Sequence, residues 1–299
     1  MNALNLQKSR SDSPRPFLKW AGGKRALMGE IMSRMPDGPI DLFVEPFLGG
    51  GAVFFELARQ GRIKRAILND RNPELIHTYT MVRDEPHAVI EAIHQWSPDE
   101  ETYYAVRGLA AESLSDVERA ARVIWLNRLC FNGLYRINKS GQFNVPYGKY
   151  KKPRLVDVDN LLAVSEALQS VTLFNADFSA LLAMAGEGAV VYCDPPYWPL
   201  SDTAYFTAYD GNAFTSDDQE RLAQAFAGLR EQGARGILSN SWTDSTVELY
   251  RRHGLNIGQV FCRRNINRKA SARGPIPEIM VTTHIEQADD SELPIAAQA

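Results

Sequence analysis

Short apolar stretches alternate with longer amphipathic stretches along most of this chain. Apolar runs suited to buried strands occupy 40–45, 65–69, 171–175, 190–193 and 236–239. Helical patterns occupy 25–35, 52–60, 157–169, a segment starting at 178, 216–232 and 245–252. This alternation predicts an α/β fold on a mostly parallel sheet. The last two apolar runs, 256–261 and 278–284, predict a terminal strand pair with an antiparallel strand.

One long block interrupts this alternation. From Pro73 to about Arg128 the pattern is helical throughout. The stretch Phe131–Tyr150 is rich in Gly, Asn, Lys and aromatic residues, which predicts a hairpin or a long loop. We therefore expect an inserted, mainly helical domain at 73–156, which separates the two parts of an α/β domain, 1–72 and 157–286.

The composition is that of an ordinary globular chain. It has 299 residues with a net charge of −3, and no apolar run long enough to cross a membrane. Its three cysteines lack metal-site spacing, so we expect a reduced, cytoplasmic protein without a metal. Residues 1–14 are expected to form a disordered arm and 287–299 an acidic tail.

Positive charge is concentrated in two stretches. Arg136–Arg154 contains six basic residues and no acidic one, and Arg251–Arg273 contains seven and no acidic one. Local basic stretches on a nearly neutral chain are typical of proteins that bind phosphate groups. Either stretch alone could equally be a solvated loop.

The stretch Val190–Tyr197 reads Val-Val-Tyr-Cys-Asp-Pro-Pro-Tyr. A buried strand is expected to end at a stiff corner, because Pro195 and Pro196 fix the backbone and donate no hydrogen bond. Ligands of open α/β sheets bind at the carboxyl ends of strands. The Asp194 carboxylate, the Pro195 carbonyl and the Tyr197 ring suit a flat substrate that carries an amino group. The alternative is a proline turn with a capping Asp.

A glycine loop follows the strand predicted at 40–45, and Asp70 follows the next strand. A dinucleotide fingerprint would place a third glycine near position 54, where this chain has Phe54. The loop therefore suits a nucleoside ligand without a pyrophosphate, and Glu45 beside it would favour a cationic one. S-adenosylmethionine has both features. Asp70 could equally be an ordinary turn residue.

Two further segments combine ligand-binding residue types. Lys19–Lys24 contains two lysines, a tryptophan and the pair Gly22–Gly23, which would let the backbone approach a ligand closely. Phe131–Arg136 combines apolar side chains with an arginine. Arginine reads guanine in the major groove, and apolar side chains can insert between bases. The Asn-Gly step within it could also be a plain turn.

Taken in order from about Phe17 to Thr283, these segments resemble the Dam-type DNA adenine N6-methyltransferases. The resemblance rests on Phe-Leu-Lys-Trp-Ala-Gly-Gly-Lys, Glu-Pro-Phe-x-Gly-x-Gly, Asn-Gly-Leu-x-Arg, Phe-Asn-Val-Pro-x-Gly-x-Tyr-Lys-Lys-Pro and Val-Tyr-Cys-Asp-Pro-Pro-Tyr. It implies a Rossmann-like methyltransferase sheet with an inserted target-recognition domain. The order of the segments is that of the family's alpha arrangement.

The resemblance also implies roles for individual residues. The catalytic corner that holds a flipped adenine would be Asp194, Pro195, Pro196 and Tyr197. S-adenosylmethionine would be held by Trp20, Lys24, Glu45, Phe47, Gly49, Gly51, Asp70, Asp177 and Phe178. The expected target is the sequence GATC in double-stranded DNA. The residues that would contact the DNA are Lys19, Phe131, Asn132, Leu134, Arg136, Asn138, Pro146, Lys151 and Lys152. Phe131 stands where the family more often has Tyr.

These features predict a monomeric, site-specific DNA adenine N6-methyltransferase with no obligate protein partner. The alternatives are an N4-cytosine methyltransferase, whose motif more often begins with Ser than with Asp, and a DNA-binding relative that has lost catalysis. A nicotinamide dehydrogenase is disfavoured by Phe54 and by the lack of a hydride-handling His constellation.

Overall fold

A computed structural model describes residues 13–138, 140–198, 214–263 and 275–284. Its strands are β1 (Phe43–Glu45), β2 (Ala66–Asn69), β3 (Val171–Phe174), β4 (Val190–Cys193), β5 (Arg235–Ser241), β6 (Asn256–Arg263) and β7 (Pro275–Thr282). Its α-helices are α1 (Met28–Ser33), α2 (Ala52–Arg59), α3 (Pro73–Asp84), α4 (Pro86–Ile93), α5 (Glu100–Gly108), α6 (Asp116–Leu129), α7 (Val158–Leu168), α8 (Phe178–Ala183), α9 (Ser216–Gly228) and α10 (Asp244–Arg252). Short 3₁₀ turns lie at Lys24–Ala26, Ala111–Ser113 and Phe131–Gly133.

The strands form one sheet in the order β3-β2-β1-β4-β5-β7-β6. The pairs from β3 to β5 are parallel, and β7 is antiparallel to both β5 and β6. This confirms the predicted α/β fold with a mostly parallel sheet and an antiparallel last strand. Chain order reverses between β1 and β4, which in open α/β sheets is where ligands bind.

Both faces of the sheet are buried. Phe43 and Tyr192 face a core that includes the helices between Pro73 and Leu129, whereas Val44 and Val191 face a core formed with α8, α9 and α10. Such burial on both sides explains why the strands are nearly continuous apolar runs. The helical block at 73–129 therefore shares one core with the sheet, and its division into a separate domain at 73–156 stays a prediction.

The amino-terminal helix differs from the prediction for 25–35. The structure has a 3₁₀ turn at Lys24–Ala26, followed by the short helix α1. Gly23 stands at the start of this turn and has no side chain to cap it, and the Leu27 amide bonds to the Lys24 carbonyl at 3.0 Å. This tighter bond is typical of 3₁₀ geometry, so the regular helix begins only at Met28.

The loop at 131–150 contains a hairpin, as one of the two predicted alternatives. Antiparallel bridges join Cys130 to Tyr147 and Ile137 to Phe143. Outside these bridges its backbone is irregular. The basic loop expected between β6 and β7, and most of the loop after the Asp-Pro-Pro-Tyr stretch, lie outside the described residues.

Candidate active site and nucleic-acid interface

Strand β4 ends at Cys193 and places Asp194 at the carboxyl edge of the sheet. One oxygen of the Asp194 carboxylate, Oδ2, lies 2.7 Å from Lys24 Nζ, and the other accepts a hydrogen bond from Ser239 Oγ at 3.2 Å. Burial raises the pKa of Asp194, and the nearby Lys24 and Ser239 oppose that shift. The carboxylate is therefore a partly desolvated acceptor whose two oxygens are both oriented.

Tyr197 lies beside this carboxylate. Its hydroxyl donates to Glu278 Oε2 at 2.7 Å, which fixes the far end of the ring. Lys24 Nζ lies 4.8 Å from the ring centroid and donates to the Gly22 carbonyl at 2.6 Å. The ammonium group therefore occupies a place between a carboxylate and an aromatic face, which is where the sequence predicts a substrate amino group.

The proline corner has one buried and one exposed ring. Pro195 is buried and Pro196 is exposed. The Pro196 carbonyl accepts a hydrogen bond from Gln219 Nε2 at 2.9 Å. The corner is thus held from α9 as well as by its own restricted backbone.

The glycine loop connects β1 to α2. Gly49 and Gly51 have φ values of +48° and +67°, which glycine adopts without strain. A Cβ at Gly49 would come within 2.8 Å of Trp20, and one at Gly51 within 2.9 Å of Phe55. The loop is therefore packed tightly against Trp20, as the predicted grouping of these residues requires.

Glu45, at the end of β1, is buried, and its Oε2 atom has no hydrogen-bond partner. Burial and the negative charge of Asp194 raise the pKa of Glu45 well above its usual value. An unpaired buried carboxylate oxygen is costly unless a donor or a cation meets it. The site therefore suits a ligand with donor groups or positive charge.

Asp70 follows β2 and orders the same loop. Its Oδ2 accepts from the Gly49 amide and its Oδ1 from the Asn72 amide, both at 2.9 Å. The predicted role as an acceptor for sugar hydroxyls stays a prediction. The structure adds a role in positioning the glycine loop.

Asp177 and Phe178 lie at the start of α8. Asp177 caps this helix by accepting from the Ser179 amide and also pairs with Arg221 at 2.8 Å. The Phe178 ring stacks on Phe47 at a centroid distance of 5.5 Å. Phe214 adds a third ring, 5.8 Å from both. This aromatic cluster has flat faces suited to a purine, and Phe214 had no motif to mark it in the sequence.

The turn at Phe131–Gly133 exposes apolar side chains. Phe131 is 51% exposed and Leu134 is 37% exposed. Asn132 between them adopts φ +56°, in the left-handed region. Large apolar groups held out on a turn are unusual unless they meet a partner, so these side chains suit insertion into a base stack.

Lys19 packs directly on this turn. A Cβ added to Gly133 would lie 2.3 Å from Lys19 Cδ, so only glycine fits there. The Asn127 side chain accepts from the Lys19 amide at 2.8 Å and donates to the carbonyls of Lys19 and Gly133. The Lys19 segment and the turn are therefore held as one unit, and Lys19 Nζ lies 5.0 Å from the Tyr150 ring centroid.

The hairpin after the turn presents Arg136. Its Nε donates to Asn144 Oδ1 at 2.6 Å and its Nη2 to the Asn144 carbonyl at 3.2 Å, while the side chain stays exposed. Asn138, predicted to contact DNA, uses Oδ1 to accept from the amides of Ser140 and Gln142. The structure thus assigns Asn138 a role in closing the hairpin.

The remaining predicted DNA contacts border this surface. Pro146, Lys151 and Lys152 are exposed. The Pro146 carbonyl accepts from the Phe131 amide at 2.8 Å, which places Pro146 beside the turn. Trp20 stacks on Tyr135 at 5.0 Å and thereby joins this surface to the glycine loop.

Several residues of the site carried no recognisable pattern. The proline corner is reached from β5, α9 and β7 by four polar side chains, Ser239, Asn240, Gln219 and Glu278. The polar run Ser239–Ser241 at the end of a buried strand was the available signal, since a buried polar side chain needs a partner.

Among the described residues, no His, Cys, Asp and Glu side chains form a group that could hold a metal ion. None of the helices in that part of the chain is long and apolar enough to cross a membrane.

Comparison with known proteins identifies the family. Residues 20–266 match the model of the D12 class N6 adenine-specific DNA methyltransferases. The chain is 42% identical over 289 residues to the type II methyltransferase M1.LlaDCHI of Lactococcus lactis subsp. cremoris, covering 94% of this chain and 99% of the relative. It is 38% identical over 270 residues to the DNA adenine methylase of Escherichia coli (strain K12), covering 89% of this chain and 94% of the relative.

These matches cover both the strand-end corner and the glycine loop. They favour adenine N6 over cytosine N4, and methyl transfer over nicotinamide chemistry. The chain belongs to the D12 class of N6 adenine-specific DNA methyltransferases.

Proposed function

We propose that Asp194, Pro195 and Tyr197 receive an adenine flipped out of duplex DNA, and that S-adenosylmethionine is the methyl donor. The observation that carries this proposal is the position of Lys24 Nζ, 2.7 Å from Asp194 Oδ2 and 4.8 Å from the Tyr197 ring centroid. The Lys24 ammonium, a nitrogen donor, already pairs with the Asp194 carboxylate beside the Tyr197 ring. Adenine N6 offers the same donor on a flat ring.

The residues around the glycine loop fit the proposed donor. Glu45 offers an unpaired buried oxygen to an ammonium or hydroxyl group, and the Phe47–Phe178 stack offers a flat apolar face. Trp20 closes the loop from the other side. When bound, S-adenosylmethionine supplies an electrophilic methyl group, which adenine N6 takes as the carbon–sulfur bond breaks and sulfur keeps the electron pair.

The corner would act on the nucleophile. The lone pair of adenine N6 is delocalised into the ring, which makes it a poor nucleophile. Hydrogen bonds from N6 to Asp194 and to the Pro195 carbonyl favour the pyramidal nitrogen that exists mainly in the transition state. Stacking on Tyr197 holds the ring, and the hydrogen bond from Tyr197 to Glu278 holds Tyr197.

Lys24 must release Asp194 Oδ2 before N6 can bind there. Ser239 keeps its bond to Oδ1 and thereby preserves the orientation of the carboxylate. After transfer, the methylated N6 carries an extra proton and is acidic enough to lose it to water. Asp194 therefore need not act as a formal base.

Base flipping costs roughly a few kcal/mol of stacking and pairing. Insertion of the exposed Phe131 and Leu134 would offset part of that cost. Lys19, Leu134, Arg136 and Pro146 would read the bases of GATC, and the exposed Lys151 and Lys152 would contact phosphates.

The test uses purified protein, S-adenosylmethionine and unmethylated duplex DNA. The product is digested to nucleosides for mass spectrometry and is also sequenced for the positions of methylated bases. We expect N6-methyladenine confined to GATC. N6-methyladenine in another sequence would overturn the reading roles of Lys19, Arg136 and Pro146 but retain the catalytic corner. Absence of any methylated base, with the cofactor bound, would overturn the proposed catalytic site.

A further inference from the structure

A buried pair of side-chain amides lies behind the catalytic corner. Asn240 on β5 is fully buried, and Gln219 on α9 is 2% exposed. The Asn240 Oδ1 atom accepts from the Trp198 amide at 2.9 Å, and Gln219 Nε2 donates to the Pro196 carbonyl at 2.9 Å. These two bonds hold the backbone on either side of Tyr197.

The two side chains are hydrogen-bonded to each other, and the Asn240 amide makes all the hydrogen bonds that it can. Asn240 Nδ2 donates to Gln219 Oε1 and to the Tyr250 hydroxyl, both at 3.1 Å, and its Oδ1 also accepts from the Ser241 amide at 2.8 Å. An Asn amide has two N–H donors and two acceptor sites on its oxygen, and all four are used here. The orientation of the amide is therefore fixed, and so is the direction in which it presents its oxygen to Trp198.

Packing of this core does not require the buried amides of Asn240 and Gln219. The helices α8, α9 and α10 cover the same face of the sheet with apolar side chains such as Leu222 and Phe226. Polar groups at this depth are tolerated only with partners, and here the partners include two backbone groups of the corner.

We propose that Asn240 and Gln219 are positioning residues for methyl transfer, because they set the backbone of Pro196–Trp198 and hence the Tyr197 ring against the substrate base. The inference rests on the proposed role of Asp194–Tyr197. Tyr197 is then held at three points: the Pro196 carbonyl by Gln219, the Trp198 amide by Asn240, and its own hydroxyl by Glu278. A small displacement of the ring would move adenine N6 away from Asp194.

The central variant is Gln219→Glu, which is nearly isosteric. The introduced carboxylate can still accept from Asn240, but it cannot donate to the Pro196 carbonyl. We expect the single-turnover rate of methyl transfer to fall about 10-fold to 100-fold, as misplacement of a reacting group does. We expect the Kd for S-adenosylmethionine to stay within about twofold of the wild-type value, since the hydrogen bonds of Gln219 go to Pro196 and Asn240 rather than to the glycine loop.

The pH profile gives a second readout. Burial raises the pKa of an introduced carboxyl, and its protonated form can donate again to the Pro196 carbonyl. The ratio of the Gln219→Glu rate to the wild-type rate should therefore rise as pH falls. The titratable group facing the pair from α10 is the Tyr250 hydroxyl, and burial raises its pKa so that it stays protonated over this range. From the corner the neighbours are Asp194 and Tyr197, and a Gln219→Met variant, which keeps both groups and adds no carboxyl, reports their own contribution to the pH dependence.

Two further variants make the test decisive. Gln219→Met removes the donor without adding a charge, and we expect a similar loss of rate with a ratio that does not change with pH. Gln224→Glu adds the same charge on the exposed side of α9 and is expected to behave as wild type. Should Gln219→Glu fail to fold, Gln219→Met carries the test of the rate.

The outcomes separate this inference from the proposed function. A wild-type rate in both Gln219 variants would overturn the positioning role, as would a loss of rate matched by an equal loss of cofactor affinity. Asp194→Ala is assayed in parallel. If that variant keeps full turnover, the proposed catalytic corner is wrong whatever the Gln219 variants do.

Discussion

The proline corner at Asp194–Tyr197 and the hairpin at 131–150 are built in opposite ways. The corner follows a buried strand, and its polar groups bond to side chains from β5, β7 and α9. The hairpin at 131–150 has two isolated bridges and exposes Phe131, Leu134 and Arg136. The enzyme thus fixes the groups proposed for chemistry within the sheet and leaves the groups proposed for base reading on a surface turn.

One segment belongs to both regions. Lys19 packs on the Phe131–Gly133 turn, Trp20 lies between the glycine loop and Tyr135, and Lys24 reaches Asp194. The two regions therefore differ in how they are built, but they are connected through this segment. Variants in each region should differ in which step they impair.

Asp194→Ala is expected to have the largest effect. Removal of the carboxylate takes away the acceptor for the substrate amine, so turnover should fall by at least about 100-fold. Binding of S-adenosylmethionine, measured by titration calorimetry, should persist. Retained turnover would show that Asp194 is not the acceptor.

Gly133→Ala should impair DNA binding next most strongly. The added methyl group would collide with Lys19 and would also strain a residue at φ +64°. Beyond any loss in the control below, we expect affinity for cognate duplex to fall about 5-fold to 100-fold, since a collision of this kind costs about 1–3 kcal/mol. Gly141→Ala is the matched control, because that glycine also has a positive φ, +75°, but has open space around it. Equal losses in both variants would mean that the contact with Lys19 does not matter.

Arg136→Ala should relax specificity at one guanine by about 1–3 kcal/mol. The comparison is made between cognate duplexes and duplexes altered at each position of the site. Equal weakening on every duplex would instead identify Arg136 as a phosphate contact. Lys151→Ala provides that pattern for reference, since it is expected to weaken all duplexes alike and to reduce the salt dependence.

Glu45→Gln is tested on the stability of the cofactor-free protein, where we expect the smallest of these effects. The folded-state pKa of Glu45 lies well above the usual value, because burial and Asp194 oppose the charged form. Because the carboxyl pKa is higher in the folded protein than in the unfolded chain, the free energy of unfolding falls as pH rises from the unfolded-state pKa to the folded-state pKa. Below the unfolded-state pKa, Glu45 is protonated in both states and has no such effect on stability. The free energy of unfolding of the cofactor-free protein, measured with urea over this pH range, should fall less steeply in the Gln variant than in the wild type. An unchanged slope would mean that the pKa of Glu45 is not raised in the folded protein.

Residue patterns along the chain were enough to predict most of the strands and helices and the motifs at their ends. Short apolar runs predicted the parallel strands, and the Asp-Pro-Pro-Tyr stretch predicted a rigid acceptor corner after one of them. Positive φ at Gly49 and Gly51 agrees with the predicted glycine loop. These features are local, so periodicity and residue type are enough to reveal them.

Which side chains contact one another could be seen only once the chain was folded. The fold places β7 between β5 and β6, pairs Lys24 with Asp194, engages the Asn138 side chain in closing a hairpin, and brings Gln219 and Asn240 behind Tyr197. Each of these contacts joins groups that are distant in sequence or depends on how a side chain is oriented by its neighbours. A polar side chain in a sequence shows that a partner is needed when it is buried, but the fold selects that partner.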